Sequence, residues 1–217
     1  GSSSRATPLV KDGVMFLTAG ARVYALDART GATLWTWRSD ASASALNVSD
    51  TYGLVAALNT GGLGLPSPPG VALGEGLVFV GLMDGRVVAL REKTGELVWT
   101  QQTGADPPQR GQSVSGPPTY ARGVVFSGLA NGDWALRGRV VALDAKTGQE
   151  RWRTDRPENP DKKFAFSTPL PIRAGGAEQI LSAGAGGISS FEPRSGNEIW
   201  PVNYPGGDSN VPRPVFG

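Results

Sequence analysis

A tryptophan placed four residues after a glycine recurs four times in this 217-residue chain, and no other feature constrains the fold as much. The segments are Ala25-Leu26-Asp27-Ala28-Arg29-Thr30-Gly31 leading to Trp35, and Ala89-Leu90-Arg91-Glu92-Lys93-Thr94-Gly95 leading to Trp99. Ala142-Leu143-Asp144-Ala145-Lys146-Thr147-Gly148 leads to Trp152, and Ser190-Phe191-Glu192-Pro193-Arg194-Ser195-Gly196 leads to Trp200. Four of the six tryptophans fall in this slot. A period of about 50 residues belongs to architectures in which one supersecondary unit stacks on the next.

The local chemistry of the motif is that of a hairpin. An alternating strand runs into it, as in Arg22-Val23-Tyr24-Ala25-Leu26, Arg86-Val87-Val88-Ala89-Leu90 and Arg139-Val140-Val141-Ala142-Leu143. The Asp-x-x-Thr-Gly turn follows: glycine takes the positive φ that the turn needs, and Asp and Thr bond the turn's own N–H groups. A second strand then carries the tryptophan. Two more short strands precede each hairpin, such as Gly70-Val71-Ala72-Leu73 and Leu77-Val78-Phe79-Val80, and no stretch has a convincing helical period. Four short antiparallel strands per repeat make the chain all-β, and repeats of this kind are the blades of a β-propeller. The tryptophans read as packing between blades, and Asp27 and Asp144 as turn caps.

The expected organisation is a tag or disordered segment at 1–4 and a propeller segment over 5–217. Its blades are placed at about 5–40, 66–104, 113–156 and 164–204, with the first strand of a next blade at 210–217. The chain has no Cys and no His. That excludes disulfides, thiol nucleophiles, Ser-His-Asp triads and zinc sites with sulfur or imidazole ligands. The net charge is +2 with scattered basic residues, so nucleic acid is not an expected partner. No apolar run approaches the length of a membrane span. Arg156 to Lys163 reads as a solvated charged loop, and the glycine runs Gly61–Gly64 and Gly184–Gly187 precede no helix and are not phosphate loops.

The repeats resemble the tryptophan-docking motif, Ala-x-Asp-x-x-Thr-Gly-x-x-x-Trp, of the quinoprotein dehydrogenase-like propellers. That superfamily includes alcohol dehydrogenases dependent on pyrroloquinoline quinone (PQQ) and non-catalytic BamB-type propellers. Over residues 5–155 the chain is more similar to the dehydrogenases: Thr7-Pro8-Leu9-Val10-Lys11-Asp12-Gly13 resembles their first blade, and Ala135-Leu136-Arg137-Gly138 their Gly-Val-Arg-Gly element. From about 165 onward, with Ser167-Thr168-Pro169-Leu170 and Val211-Pro212-Arg213-Pro214-Val215, it looks more like the scaffold propellers. The resemblance implies Asp133 as a ligand to a calcium or lanthanide ion, in a slot where the family has Glu, and Arg137 as a cofactor contact. It also exposes departures. Arg5 stands where the family has Glu, Pro69 where it has Arg, Val114 where a Thr contacts the cofactor, and the adjacent Cys pair is missing.

The dehydrogenase family closes eight blades and this chain holds four. An open arc exposes the apolar faces of its first and last blades, which soluble monomers rarely tolerate. Closure of four blades on themselves, a homodimer of two half-rings, or a missing remainder of the propeller each avoids this. The blade spacing favours the last two. The expected function is a non-catalytic binding or scaffold module without cofactor. The alternatives are a PQQ- and calcium- or lanthanide-dependent alcohol or sugar dehydrogenase active only in a completed ring, and a self-assembling half-propeller. Whether the chain is an enzyme stays open. The resemblance implies a periplasmic or secreted location.

Overall fold

A computed structural model of the chain describes residues 6–40, 69–104, 113–114, 116–130, 138–156, 167–184, 186–204 and 214–216. It contains four antiparallel sheets. The first is β1 (Leu9–Lys11), β2 (Val14–Ala19), β3 (Arg22–Asp27) and β4 (Thr33–Arg38). The second is β5 (Val71–Gly74), β6 (Leu77–Gly81), β7 (Arg86–Arg91) and β8 (Leu97–Gln102). The third holds β10 (Thr119–Ala121), β11 (Val124–Ala130), β12 (Arg139–Asp144) and β13 (Glu150–Asp155), and also β9 (Ser113–Val114), which pairs with the far end of β11. The fourth is β14 (Leu170–Ala174), β15 (Ala177–Gly184), β16 (Gly187–Phe191) and β17 (Glu198–Asn203). Pro214 to Phe216 carry no strand, and the rest of the 210–217 segment lies outside the described residues.

Each blade meanders through three hairpins, so its ends differ in kind. At one end lie the β1–β2 type turns and the tryptophan-motif turns. At the other lie the β2–β3 type loops and the exits from each fourth strand. The first hairpin of each blade closes in two residues, Asp12-Gly13, Glu75-Gly76, Arg122-Gly123 and Gly175-Gly176, all at positive φ. Such a backbone matches the right-handed twist of the strands it joins.

Side chains alternate between the two faces of a blade, and the forward face of one packs on the back face of the next. Phe16, Val23, Ala25 and Trp35 of the first blade meet Val78, Val80, Val88 and Leu90 of the second. Phe79, Val87, Ala89 and Trp99 of the second meet Val125, Val141 and Leu143 of the third. Phe126, Val140, Ala142 and Trp152 of the third meet Ile180 and Phe191 of the fourth. Within each of the first three blades a phenylalanine and the motif tryptophan stand close, with centroids 6.0, 5.9 and 6.0 Å apart.

The outward face of the first blade is less covered. Met15, Leu17, Tyr24 and Leu26 are half-buried, while their counterparts Val78, Val80, Val88 and Leu90 in the second blade are 0–1% exposed. Among the described residues the first and fourth blades share no substantial contact.

Candidate functional site

The turn end shows what holds the arc. In the first blade, Asp27 Oδ1 accepts from the Arg29 and Thr30 N–H groups at 2.9 and 2.8 Å and from Thr30 Oγ1 at 3.0 Å. Asp144 Oδ1 does the same for Lys146, Thr147 and Thr147 Oγ1. Glu192 Oε2 accepts from the Arg194 and Ser195 N–H groups. The second blade has Arg91 in this slot and closes its turn through the backbone, Gly95 N donating to Arg91 O at 2.8 Å. The Arg151 guanidinium outweighs the cost of burial and, with the turn's Thr147 and Lys146 N–H groups, holds the Asp144 carboxyl down at about 2.

These turns are sockets. Trp35 Nε1 donates to Glu92 O at 2.9 Å, Trp99 Nε1 to Ala145 O at 3.0 Å and Trp152 Nε1 to Pro193 O at 2.8 Å. Each acceptor is the residue after the Asp slot of the following blade. Each indole also lies on the following blade's glycine: a Cβ at Gly95, Gly148 or Gly196 would come within 2.6, 2.7 or 2.5 Å of the ring. Glycine is needed here twice over, for the positive φ and for the ring's close approach. Lys11–Glu92 at 2.8 Å, Lys146–Glu75 at 3.6 Å and Arg122–Glu178 add ion pairs across the same three joints.

The loop end is where the resemblance puts cofactor chemistry. Asp133 and Arg137 lie outside the described residues, as do Arg5 and most of the Arg156–Lys163 segment. Gly138, next in the chain to Arg137, is held where its carbonyl accepts from Arg156 N at 2.8 Å. Val114 presents nothing to a ligand. It is fully buried, its side chain fills the space that a Cβ at Gly81 would take, and its N–H donates to Leu82 O at 3.1 Å. Gly70 lies against Pro117 and Ala6.

Two arginines dominate this end. Arg86 Nε donates to Asp84 Oδ2 at 2.8 Å and its Nη2 to Asp40 Oδ1 at 2.6 Å. Burial works against the Arg86 charge, but the two carboxylates outweigh it and raise its pKa. Arg156 was expected in a solvated loop and is instead packed between blades. Its Nη1 donates to Ala183 O and its Nη2 to Ser182 Oγ, both at 2.7 Å. Burial pulls its pKa down to about 10. Beside it, burial raises the Tyr204 phenol against the pull of the Arg156 charge, and Tyr204 Oη donates to Gly184 O at 2.6 Å. The physical reason is spatial. Arg156 directly follows β13, and β15 of the next blade offers a carbonyl and a hydroxyl within its reach. Nothing local in the sequence separates it from the charged residues that follow.

Among the described residues no three acidic side chains gather as a metal site would require. Among the described residues, Pro69 and Val114 stand in the slots where the resemblance would put a guanidinium and a hydroxyl, and the slots of Asp133 and Arg137 lie outside them.

Sheets of four strands joined by tryptophan-to-turn docking define a β-propeller assembly of stacked blades. The chain belongs to the PQQ-repeat family whose profile, described as outer membrane protein assembly factor BamB, matches residues 56–212. A second profile, described as the β-propeller domain of glucose/ethanol/alcohol dehydrogenase, matches residues 1–101. The quinohemoprotein alcohol dehydrogenase of Comamonas testosteroni is 36% identical over 162 residues, 73% of this chain and 21% of that protein. Quinohemoprotein alcohol dehydrogenase ADH-IIG of Pseudomonas putida is 38% identical over 151 residues, 68% of this chain and 19% of that one. The chain thus spans about a fifth of the length of these curated relatives. The crystal structure of the Comamonas testosteroni enzyme superposes with a TM-score of 0.72 at 24% identity, covering 93% of this chain and 35% of that one. BamB from Moraxella catarrhalis superposes at 0.59 and 15% identity, covering 94% and 49%. Both likenesses are of fold. No helix among the described residues is long and apolar enough to cross a membrane.

Proposed function

We propose that this chain is a structural arc of a quinoprotein-type propeller, a scaffold of docked blades that binds no quinone by itself. The observation that carries the reading is the contrast at the loop end: Val114 is spent on the core and Pro69 replaces the guanidinium, while every internal docking joint is intact. The missing neighbours of the first blade belong to a longer propeller, in keeping with the share of the relatives that the chain spans. A periplasmic or secreted site of action accompanies the family.

A second reading is favoured by the identity to alcohol dehydrogenases over about two thirds of the chain. In it the completed ring oxidises alcohols or sugars, with Asp133 on a calcium or lanthanide ion and Arg137 facing PQQ. PQQ would supply the redox chemistry. Calorimetric titration of the whole propeller that carries this arc, with PQQ in calcium and again in lanthanum, separates the two. Saturable, metal-dependent binding that Asp133→Ala abolishes supports the dehydrogenase reading. Absence of binding by the folded whole propeller supports the scaffold.

A further inference from the structure

The fourth blade does not repeat the forward face of the other three. At the slot of Phe16, Phe79 and Phe126 it has Leu181, since Leu181 pairs with Ser190 as Phe16 pairs with Ala25. At the slot of Ala25, Ala89 and Ala142 it has Ser190, and two residues before Leu181, on the same face, it has Gln179. These changes are concerted. Gln179 Oε1 accepts from Trp200 Nε1 at 3.0 Å and from Ser190 Oγ at 2.7 Å. An indole N–H can only donate, so the amide oxygen, not its nitrogen, must face Trp200. Gln179, Leu181 and Ser190 are 8%, 7% and 0% exposed.

We propose that Gln179 is a built-in substitute for the backbone carbonyl that the following blade supplies at every other joint. It satisfies Trp200 from within its own blade, so the forward face of the fourth blade closes on itself and does not recruit a tryptophan socket. At the other end of the arc the Asp27–Gly31 turn has the same capping bonds as the Asp144–Gly148 turn, and among the described residues a Cβ at Gly31 would meet nothing within 4 Å. A second copy of this chain offering that socket is therefore not captured by Trp200. The two end blades of the arc are thus different in kind: the first carries an unfilled socket among the described residues, and the fourth satisfies its own tryptophan. This goes beyond the scaffold reading and does not depend on whether PQQ binds.

The test is hydrogen exchange at the indole Nε1–H groups, read by nuclear magnetic resonance on the whole chain. Trp35, Trp99 and Trp152 report in the same spectrum that the fold is intact. In the wild type, Trp200 Nε1–H should exchange about tenfold more slowly than an exposed indole, the effect of one ordinary hydrogen bond. Gln179→Leu should remove that protection from Trp200 alone, and Gln179→Glu, which keeps an acceptor, should retain it. The Trp200 signal should not move with protein concentration. Fast exchange in the wild type, protection unaltered by Gln179→Leu, or a Trp200 shift that grows with concentration alongside a dimer mass would each overturn the proposal.

Discussion

The two ends of each blade follow different rules. At the turn end the same arrangement appears three times over: an indole N–H on a backbone carbonyl, a ring on a glycine, an ion pair alongside. At the loop end the backbone closes alike in all four blades, the Ser39, Thr103, Arg156 and Tyr204 N–H groups donating to Ala21, Gly85, Gly138 and Gly186 O, but the side chains of no two blades agree. The second uses an Asp84–Arg86–Asp40 network, and the third sends Arg156 into the fourth. The difference teaches which end carries the architecture and which is free to vary. A joint that must recur at every blade cannot tolerate variation, whereas loops set on a rigid scaffold can acquire or lose chemistry without cost to the fold.

That contrast can be broken at its strong side first. Trp99→Ala removes a ring packed between the second and third blades and leaves Ala145 O without its partner. We expect a loss of about 4 kcal/mol in urea denaturation, in the range of large core truncations. A loss below about 1 kcal/mol would mean that the docking joint is not what holds the blades.

The glycine pair sharpens it. Gly148 and Gly31 have nearly the same φ, +74° and +73°, but only Gly148 lies under an indole. Gly31→Ala should cost about 1 kcal/mol through backbone strain alone, and Gly148→Ala about 3 kcal/mol because the Trp99 ring must also shift. Equal losses in the same denaturation assay would contradict a docking role for the glycine.

At the loop end, Arg156→Ala should cost about 2 kcal/mol by leaving Ser182 and Ala183 without their donors. Protection of the Trp152 indole N–H should stay unchanged, because the turn end is independent of it. The smallest effect is electrostatic. Asp144 is held near 2 in the folded chain, below its ordinary 3.8. Its contribution is fully present above that ordinary value and is lost as pH falls through about 2. Asp144→Ala should therefore cost about 1 kcal/mol at neutral pH, and the gap to the wild type should narrow as the pH falls from 4 to 2 in an acid-denaturation series.

The same division explains how much was readable beforehand. Each hairpin is closed by residues next to one another in sequence, so Asp27, Thr30 and Gly31 announce their turn and Trp35 its strand. Four sheets in four repeats follow from that. The tiny strand Ser113–Val114 was not foreseen, because it pairs with β11 beyond the end of β10 and has no counterpart among the described residues of the other repeats. Arg156 was misread because its partners Ser182 and Ala183 come from another blade and no local pattern marks them. Gln179 could have been found: it and Ser190 are the polar intruders at slots filled by Val, Leu and Ala in the other blades, and a column-by-column comparison of the repeats exposes both. Asp133 and Arg137 rest on the resemblance alone, since their loop lies outside the described residues.

Three docked joints hold the four blades in an arc, and the chain's lack of cysteine makes that arc directly measurable. Arg29, Lys93 and Arg194 occupy the same exposed slot in the docking turns of the first, second and fourth blades. Spin labels on Arg29→Cys with Lys93→Cys give the spacing of adjacent blades, and labels on Arg29→Cys with Arg194→Cys give the spacing of the ends. Pulsed electron paramagnetic resonance should find the second distance clearly longer than the first. Equal distances would mean that four blades close into a ring, and would contradict the arc.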